Sequence, residues 1–165
     1  MEKILTIKKF YLLIFLISTI SLLGAVFIEN VLEQSPCRLC LYQRIPYLIS
    51  IFICFFGFNY YKNFLWMYLL LILFIISAIL SGYHVGIENS IFEEFSGCTS
   101  ENINITNKLD LLNNLKKTMP SCKNVDFKLF GLSLATINLI ISLIISAISI
   151  TIIKYERNKE KKNRR

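Results

Sequence analysis

Cysteine is the residue of this sequence whose type and spacing carry the most evident chemistry. Five cysteines are present, and Cys37 and Cys40 enclose only two residues. That spacing allows a small, strained disulfide that exchanges readily with other thiols. Cys98 and Cys122 lie far apart in the sequence and could close a large loop. These residues predict thiol–disulfide chemistry.

Other uses of the same cysteines are less well supported by their spacing. A zinc site usually needs two short-spaced pairs of ligands, and Cys98 with Cys122 does not supply the second pair, so we predict no metal site. Covalent haem attachment needs a histidine directly after the second cysteine, where Leu41 stands. Two purely structural disulfides remain an open alternative.

Arg44 follows Cys40 by four positions, about one helical turn or ~6 Å along a helix axis. A cation there, together with the positive end of a helix, favours a thiolate, so the sequence predicts Cys40 as a thiol of low pKa. The alternative is an arginine that anchors the chain at the membrane interface. Pro46 biases Ile45 away from helix, and a helix that begins only at Pro46 would leave Arg44 in a looser relation to Cys40.

His84 is the only histidine of the chain. It ends a predicted membrane span and could approach Arg44, donate a hydrogen bond to a bound polar group or transfer protons. The alternative is an ordinary interfacial histidine. We predict Tyr42, Tyr47 and Tyr83 to belong to an aromatic belt at the interface. Cys54 is predicted to be a small packing residue inside a span.

The elements that must position these residues are membrane spans. The chain has 165 residues, of which 55% are hydrophobic and 18% charged, and its mean hydropathy is +0.56, which excludes an ordinary soluble domain. A bilayer core needs roughly 20 consecutive apolar residues. Four blocks meet this requirement, and they cover residues 10–28, 45–61, 64–83 and 129–153.

The predicted fold is an all-α membrane protein, a four-transmembrane-helix bundle forming one domain over residues 1–165. Between Cys98 and Cys122, apolar residues recur at helical spacing until Pro120. This pattern predicts a short amphipathic interfacial helix in the second extracytoplasmic loop. A partner-docking or merely solvated segment is the alternative there.

Basic residues predict the orientation of the bundle. The N-terminal segment, the turn at Lys62 and the tail 154–165, with seven Lys/Arg, should be cytoplasmic. Loops 29–44 and 84–128 should then face the non-cytoplasmic side, where disulfides persist. The net charge of +7 is thereby explained as a topology signal, and we predict no nucleic-acid partner.

A specific family resemblance follows from these motifs. Residues 36–44 read Pro-Cys-Arg-Leu-Cys-Leu-Tyr-Gln-Arg, and Cys98, Cys122, the run Phe-Gly-Leu-Ser-Leu-Ala at 130–135 and Asn138 follow. The chain resembles the bacterial disulfide bond formation protein B (DsbB) family from its first span to its fourth. It departs from the family at Phe127 and Ile137, where members often have tryptophan.

The resemblance implies an enzyme of the bacterial inner membrane with both termini cytoplasmic. Such a thiol:quinone oxidoreductase reoxidises a periplasmic, thioredoxin-fold DsbA-like dithiol oxidase and passes the electrons to a membrane quinone, ubiquinone or menaquinone. It thereby supports disulfide bond formation in other proteins.

The resemblance also implies roles for individual residues. Cys98 would form the mixed disulfide with the partner and pair with Cys122, and the Cys37–Cys40 disulfide would reoxidise that pair. Cys40 would interact with the quinone ring and Arg44 would stabilise the charge developing there. His84 would correspond to the family's quinone-proximal histidine.

Two rival functions remain open at this point. An enzyme similar to vitamin K epoxide reductase also combines four helices with a closely spaced cysteine pair, but usually carries that pair on a late span. A small transporter or structural membrane protein with incidental disulfides is the non-enzymatic alternative, although transporters normally carry polar groups deep in their spans.

Overall fold

The computed structural model describes residues 2–61, 63–94, 121–123, 127–129 and 131–163. Four long helices dominate it: α1 (Glu2–Asn30), α2 (Arg38–Asn59), α3 (Leu65–Glu88) and α4 (Leu134–Asn163). Each contains a stretch long and apolar enough to cross a membrane. The predicted fold class, a four-helix membrane protein, is confirmed.

The helices extend beyond the predicted spans. The second begins at Arg38 rather than at Ile45, with Pro46 in its interior. Membrane helices tolerate an internal proline because neighbouring groups satisfy the carbonyl that it leaves without a donor. The third continues to Glu88, so His84 lies within a helix. The fourth runs through the basic tail to Asn163, whereas the span predicted from the sequence ended at Ile153.

Packing follows chain order, since α1 contacts α2, α2 contacts α3, and α3 contacts α4. Buried serines occupy these contacts, where small side chains let membrane helices approach closely. Ser18 and Ser50 join α1 to α2 through hydroxyls 2.7 Å apart. Ser142 of α4 donates to Ser77 of α3 at 3.0 Å.

An apolar core fills the bundle between its middle and the end that holds the α2–α3 turn. Its fully buried side chains include Tyr11, Ile14, Met67, Leu70 and Phe74. The outward faces are also apolar, with large exposed side chains such as Leu16, Leu23, Phe52, Phe55, Ile72, Ile79 and Leu143. Helices that are apolar on all sides are typical of a lipid environment.

A two-stranded hairpin precedes the last helix. Strand β1 (Lys128–Leu129) pairs antiparallel with β2 (Leu132–Ser133), and Leu129 lies opposite Leu132. Gly131 in the connecting turn has φ +81°, a conformation that favours glycine. The sequence predicted helix from Leu129 onward. The amphipathic helix predicted between Cys98 and Cys122 lies outside the described residues.

Candidate active site

Cys37 is the N-cap residue of α2 and follows Pro36 in extended backbone. Its Sγ accepts the backbone N–H of Cys40 at 3.3 Å, as side-chain acceptors at helix N-caps do. The two Sγ atoms are 2.7 Å apart, and both cysteines are free thiols. The structure therefore describes the dithiol form of this pair, and its disulfide form stays a prediction.

His84 and Cys122 meet Cys37 from other parts of the chain. The Sγ atoms of Cys37 and Cys122 and a ring nitrogen of His84 all lie within 4.8 Å of one another, and the three residues are buried. Cys122 is disulfide-bonded. Cys98 lies outside the described residues, so the predicted Cys98–Cys122 pairing stays a prediction.

Sulfur and imidazole nitrogen are also zinc ligands, and the fold brings these donors together without a second short-spaced pair. Because Cys122 is in a disulfide, the cluster is better explained as a thiol that faces a disulfide.

Hydrogen bonds from Cys40 lower the pKa of the Cys37 thiol to about 5. The largest contribution comes from the Cys40 side chain; burial opposes it, and His84 and the backbone N–H of Cys40 add to the lowering. The sequence predicted the low-pKa thiol at Cys40, and the structure places it at Cys37. The reason is the helix start at Arg38, which makes Cys37 the cap toward which the donors point.

Arg44 lies one turn after Cys40 on α2, as the sequence predicted for a helical segment. Its Nη1 donates to Glu29 Oε2 of α1 at 2.6 Å. Both Arg44 and Cys40 line the same cavity. Glu29 is a partner that sequence reasoning missed, because nothing in the spacing along the chain pairs it with Arg44.

His84 is 3% exposed, which excludes the alternative of an ordinary interfacial histidine. Its Nε2 lies 3.7 Å from Cys37 Sγ and 3.8 Å from Glu88 Oε1, one turn further along α3. Its Nδ1 lies 3.0 Å from the Gln43 side-chain nitrogen. The structure thus gives this side chain a thiol, a carboxylate and an amide as neighbours.

Gln43 belongs to a buried polar chain that the sequence did not reveal. Its Oε1 accepts from Asn138 Nδ2 of α4 at 3.1 Å. Asn138 Oδ1 in turn accepts from the Tyr47 hydroxyl at 2.5 Å. Tyr47 is therefore a buried hydrogen-bonding residue, and its assignment to an aromatic belt was wrong. The Pro-Cys to Gln-Arg motif and Asn138 were the only signals that could have linked these residues.

A cavity of about 450 Å³ opens beside the dithiol. One wall is formed by α1 and the opposite wall by the first turns of α4, and Cys37, Cys40, Gln43, Arg44 and His84 lie at its polar end. The apolar walls are formed by Ile20, Leu22, Ala25, Ile28, Leu134, Ile137 and Ile141.

The shape and lining of the cavity suit a quinone. Its volume lies in the range of small-molecule sites, and its walls are mostly apolar with a few polar groups at one end. A Cβ atom added at Gly24 would meet nothing within 4 Å, so open space adjoins this helix. An apolar ring with carbonyl oxygens fits such a site, since Arg44 can donate to an oxygen while the walls contact the ring. Phe127 and Ile137, the two departures from the family pattern, also line it.

Cys54 lies near the other end of α2, inside the apolar core. It is a free thiol and is 2% exposed. Its neighbours in the core are side chains such as Tyr11, Met67 and Phe74. This environment agrees with the predicted packing role.

Comparisons with known proteins found one family model and one relative that match most of the chain. The model of the family described as "Disulfide bond formation protein DsbB" matches residues 7–152. The uncharacterized protein RP370 of Rickettsia prowazekii (strain Madrid E) is 31% identical over 141 residues, which cover 82% of this chain and 81% of that protein.

Proposed function

This chain belongs to the DsbB family of disulfide bond formation proteins, a family of membrane thiol oxidoreductases, and on that premise we propose a specific reaction for it. The protein reoxidises a periplasmic DsbA-like dithiol oxidase and passes the electrons to a membrane quinone. The observation that carries the proposal is the position of Cys37. Its sulfur lies within 4.8 Å of the sulfur of the disulfide-bonded Cys122 and 2.7 Å from the sulfur of Cys40, which lines the cavity.

The first half of the proposed reaction is exchange between proteins. The partner's thiolate attacks Cys98 of a Cys98–Cys122 disulfide, a new S–S bond joins the two proteins, and Cys122 leaves as a thiolate. The partner's second thiolate then attacks the partner's sulfur of the mixed disulfide, Cys98 leaves as a thiolate, and the partner is released with its own disulfide. Cys98 and Cys122 now hold the two electrons of the partner. Exchange of this kind proceeds by thiolate attack on sulfur.

The second half transfers these electrons between the two cysteine pairs. The Cys122 thiolate attacks Cys37 of the Cys37–Cys40 disulfide, and Cys40 leaves as a thiolate. Cys98 then displaces Cys37 from Cys122, which restores the first disulfide and leaves Cys37 and Cys40 reduced. The separation of Cys37 from Cys122, within 4.8 Å, supports this step because only a small displacement brings the sulfurs into bonding range.

The reduced pair then returns to its disulfide. Cys37 and Cys40 form an S–S bond and release two electrons together with the one proton of the Cys40 thiol. A quinone bound in the cavity would accept the two electrons and this proton, and would take its second proton from solvent to become the quinol. The low pKa of Cys37 keeps this thiol ionised near neutral pH, as a nucleophile in that bond formation and as a leaving group in the preceding exchange. Arg44 holds positive charge at the cavity end where negative charge develops.

Energetics support a lipid-soluble electron acceptor. A DsbA-like oxidase has a potential of roughly −120 mV, compared with about −180 mV for protein disulfide isomerase. An oxidant of the latter strength would fall short by about 3 kcal/mol for two electrons. A stronger oxidant is needed, and quinones dissolve in the bilayer that the four helices are long and apolar enough to cross.

The proposed location is the bacterial inner membrane with both termini in the cytoplasm. The cysteines lie where α1 ends and α2 begins, at the bundle end opposite the basic tail of α4. Basic residues remain cytoplasmic in membrane proteins, so the dithiol would face the periplasm.

Turnover in proteoliposomes tests the proposal. Reduced DsbA-like protein should consume ubiquinone or menaquinone in proportion to the thiols that are oxidised. Cys40→Ser should abolish quinone consumption, while the control Cys54→Ala should retain it. Persistent quinone consumption in both Cys37→Ser and Cys40→Ser would refute the redox assignment.

A further inference from the structure

The two ring nitrogens of His84 face different kinds of group. Nδ1 is directed at the Gln43 amide, and Nε2 is directed at Cys37 Sγ and Glu88 Oε1. A neutral imidazole carries its proton on one nitrogen only, so the tautomer decides whether Cys37 faces a donor or an acceptor.

The polar chain behind Gln43 determines that tautomer. The Tyr47 hydroxyl donates to Asn138 Oδ1, which leaves the Asn138 NH2 group to donate to Gln43 Oε1. The Gln43 NH2 group must then point toward His84. Because an NH2 group only donates, Nδ1 of His84 has to accept, and the proton of the neutral ring lies on Nε2.

Burial makes the direction of this chain hard to reverse. Tyr47, Gln43, Asn138 and His84 are all buried. Rotating one amide alone would set two NH2 groups or two carbonyl oxygens against each other, away from solvent, and a buried polar group without a partner is strongly disfavoured. A reversal would therefore require both amides, the Tyr47 hydroxyl and the His84 proton to change together.

We propose that Tyr47, Asn138 and Gln43 are positioning residues that hold neutral His84 as the Nε2–H tautomer, with a hydrogen-bond donor facing Cys37. The purpose of the device rests on the proposed function: it stabilises a Cys37 thiolate while the dithiol is reduced. The titratable groups facing the ring are Cys37 at the start of α2 and Glu88 on α3 itself, and the sulfur of Cys122, which is in a disulfide and does not titrate, also lies close to it. Glu88 Oε2 accepts from Ser133 of β2 at 2.6 Å.

The tautomer can be measured directly because the chain contains one histidine. Full-length protein labelled with ¹⁵N-histidine, with Cys37 and Cys40 reduced, gives a single pair of ring nitrogen signals in lipid nanodiscs. In the neutral ring, we expect a protonated Nε2 and an unprotonated Nδ1. A protonated Nδ1 in the neutral ring of the wild type would overturn the proposal.

The Nε2–H tautomer is also common in free histidine. Variants at Gln43 therefore test whether the polar chain, rather than this intrinsic preference, sets the tautomer of His84. Gln43→Glu replaces the donor with an acceptor and should move protonation to Nδ1, as the Nδ1–H tautomer or as imidazolium. Gln43→Leu and Asn138→Leu remove the constraint and should give a mixture of tautomers. Ser50→Ala breaks a comparable buried hydrogen bond about two turns after Gln43 on α2 and should leave the signals unchanged.

These spectra do not depend on turnover, so the proposal and the proposed function can fail separately. An unchanged Nε2–H signal in both Gln43→Glu and Gln43→Leu would overturn the positioning role even in an active enzyme. The expected shift in an enzyme that reduces no quinone would support the tautomer assignment and refute the proposed function.

Discussion

One buried free cysteine, Cys37, caps the start of helix α2, and another, Cys54, lies near its end. The surroundings of the two sulfurs differ. Cys37 is 6% exposed and Cys54 is 2% exposed. Around Cys37 lie the thiol and N–H of Cys40 and the ring of His84. Around Cys54 lies an apolar core. Burial alone therefore does not make a cysteine reactive; the donors directed at its sulfur do.

The glycines of the same two regions show the corresponding difference in packing. A Cβ atom at Gly57, near Cys54, would lie 2.5 Å from Cε1 of Tyr11. A Cβ atom at Gly24, beside the cavity, would meet nothing within 4 Å. The bundle is therefore closely packed at Gly57, whereas open space adjoins Gly24 beside the cavity.

The largest expected effect contrasts the two cysteines. Cys37→Ser should lower quinone-dependent oxidation of the partner about 10,000-fold or more, as loss of a nucleophile does in other enzymes. Cys54→Ser should leave the rate within about twofold, because a small side chain replaces a packing residue. Turnover of both variants in the same liposomes gives the comparison, and equal losses would refute it.

The second-largest expected effect is in the pH dependence of alkylation, which should distinguish the sulfur of Cys37 from that of Cys54. In the reduced protein, the pKa of Cys37 is about 5, so its thiolate predominates above that pH and is lost only as pH falls through 5. Its alkylation rate should therefore be flat from pH 6 to 8, whereas an ordinary thiol with a pKa of about 8.5 gains roughly tenfold per pH unit. Peptide mapping after timed alkylation measures the rate. A tenfold rise per unit at Cys37 would contradict the lowered pKa.

Substitution of Arg44 should weaken the reaction with quinone and leave thiol–disulfide exchange with the partner protein unchanged. Arg44→Ala removes a charged donor from the cavity, and hydrogen bonds of this kind contribute about 1.5–3 kcal/mol, so the quinone KM should rise roughly 10- to 100-fold. Glu29→Gln is the matched control, since it keeps the arginine and removes only its ion-pair partner. An unchanged KM in Arg44→Ala would favour the role of a membrane anchor.

Substitutions at Gly57 and Gly24 should give the smallest effect, a change in the free energy of unfolding. Gly57→Ala forces the Tyr11 ring to move and should destabilise the bundle by about 1–3 kcal/mol, the typical effect of overpacking. Gly24→Ala should be neutral or stabilise by up to about 1 kcal/mol, since alanine favours helix. Thermal unfolding in detergent reports both variants. A larger loss in Gly24→Ala would show that the cavity end is the more closely packed one.

Much of this architecture is predictable from the sequence because hydropathy reports membrane spans directly. Long apolar runs predicted four helices, and the spacing of Arg44 after Cys40 placed both on one face of α2. The start of α2 was harder to predict, since Pro46 suggested a later boundary. That boundary decides which cysteine caps the helix, and so which thiol receives the donors.

The polar chain from Tyr47 to His84 was not predictable, since it joins three helices that are distant in sequence. Single residues such as Gln43 and Asn138 carry no periodic signal, and only packing of α2, α3 and α4 brings them together. The same holds for Glu29 and Arg44, which meet across α1 and α2.

Photolabelling with a quinone that carries a photoreactive group tests the central claim most directly, namely that electrons leave the protein at the cavity beside the dithiol. We expect crosslinks to residues 20–28 of α1 and 134–141 of α4 that are lost when excess unlabelled quinone competes. Competable crosslinks confined to the opposite end, around Phe56 and Trp66, would contradict this claim.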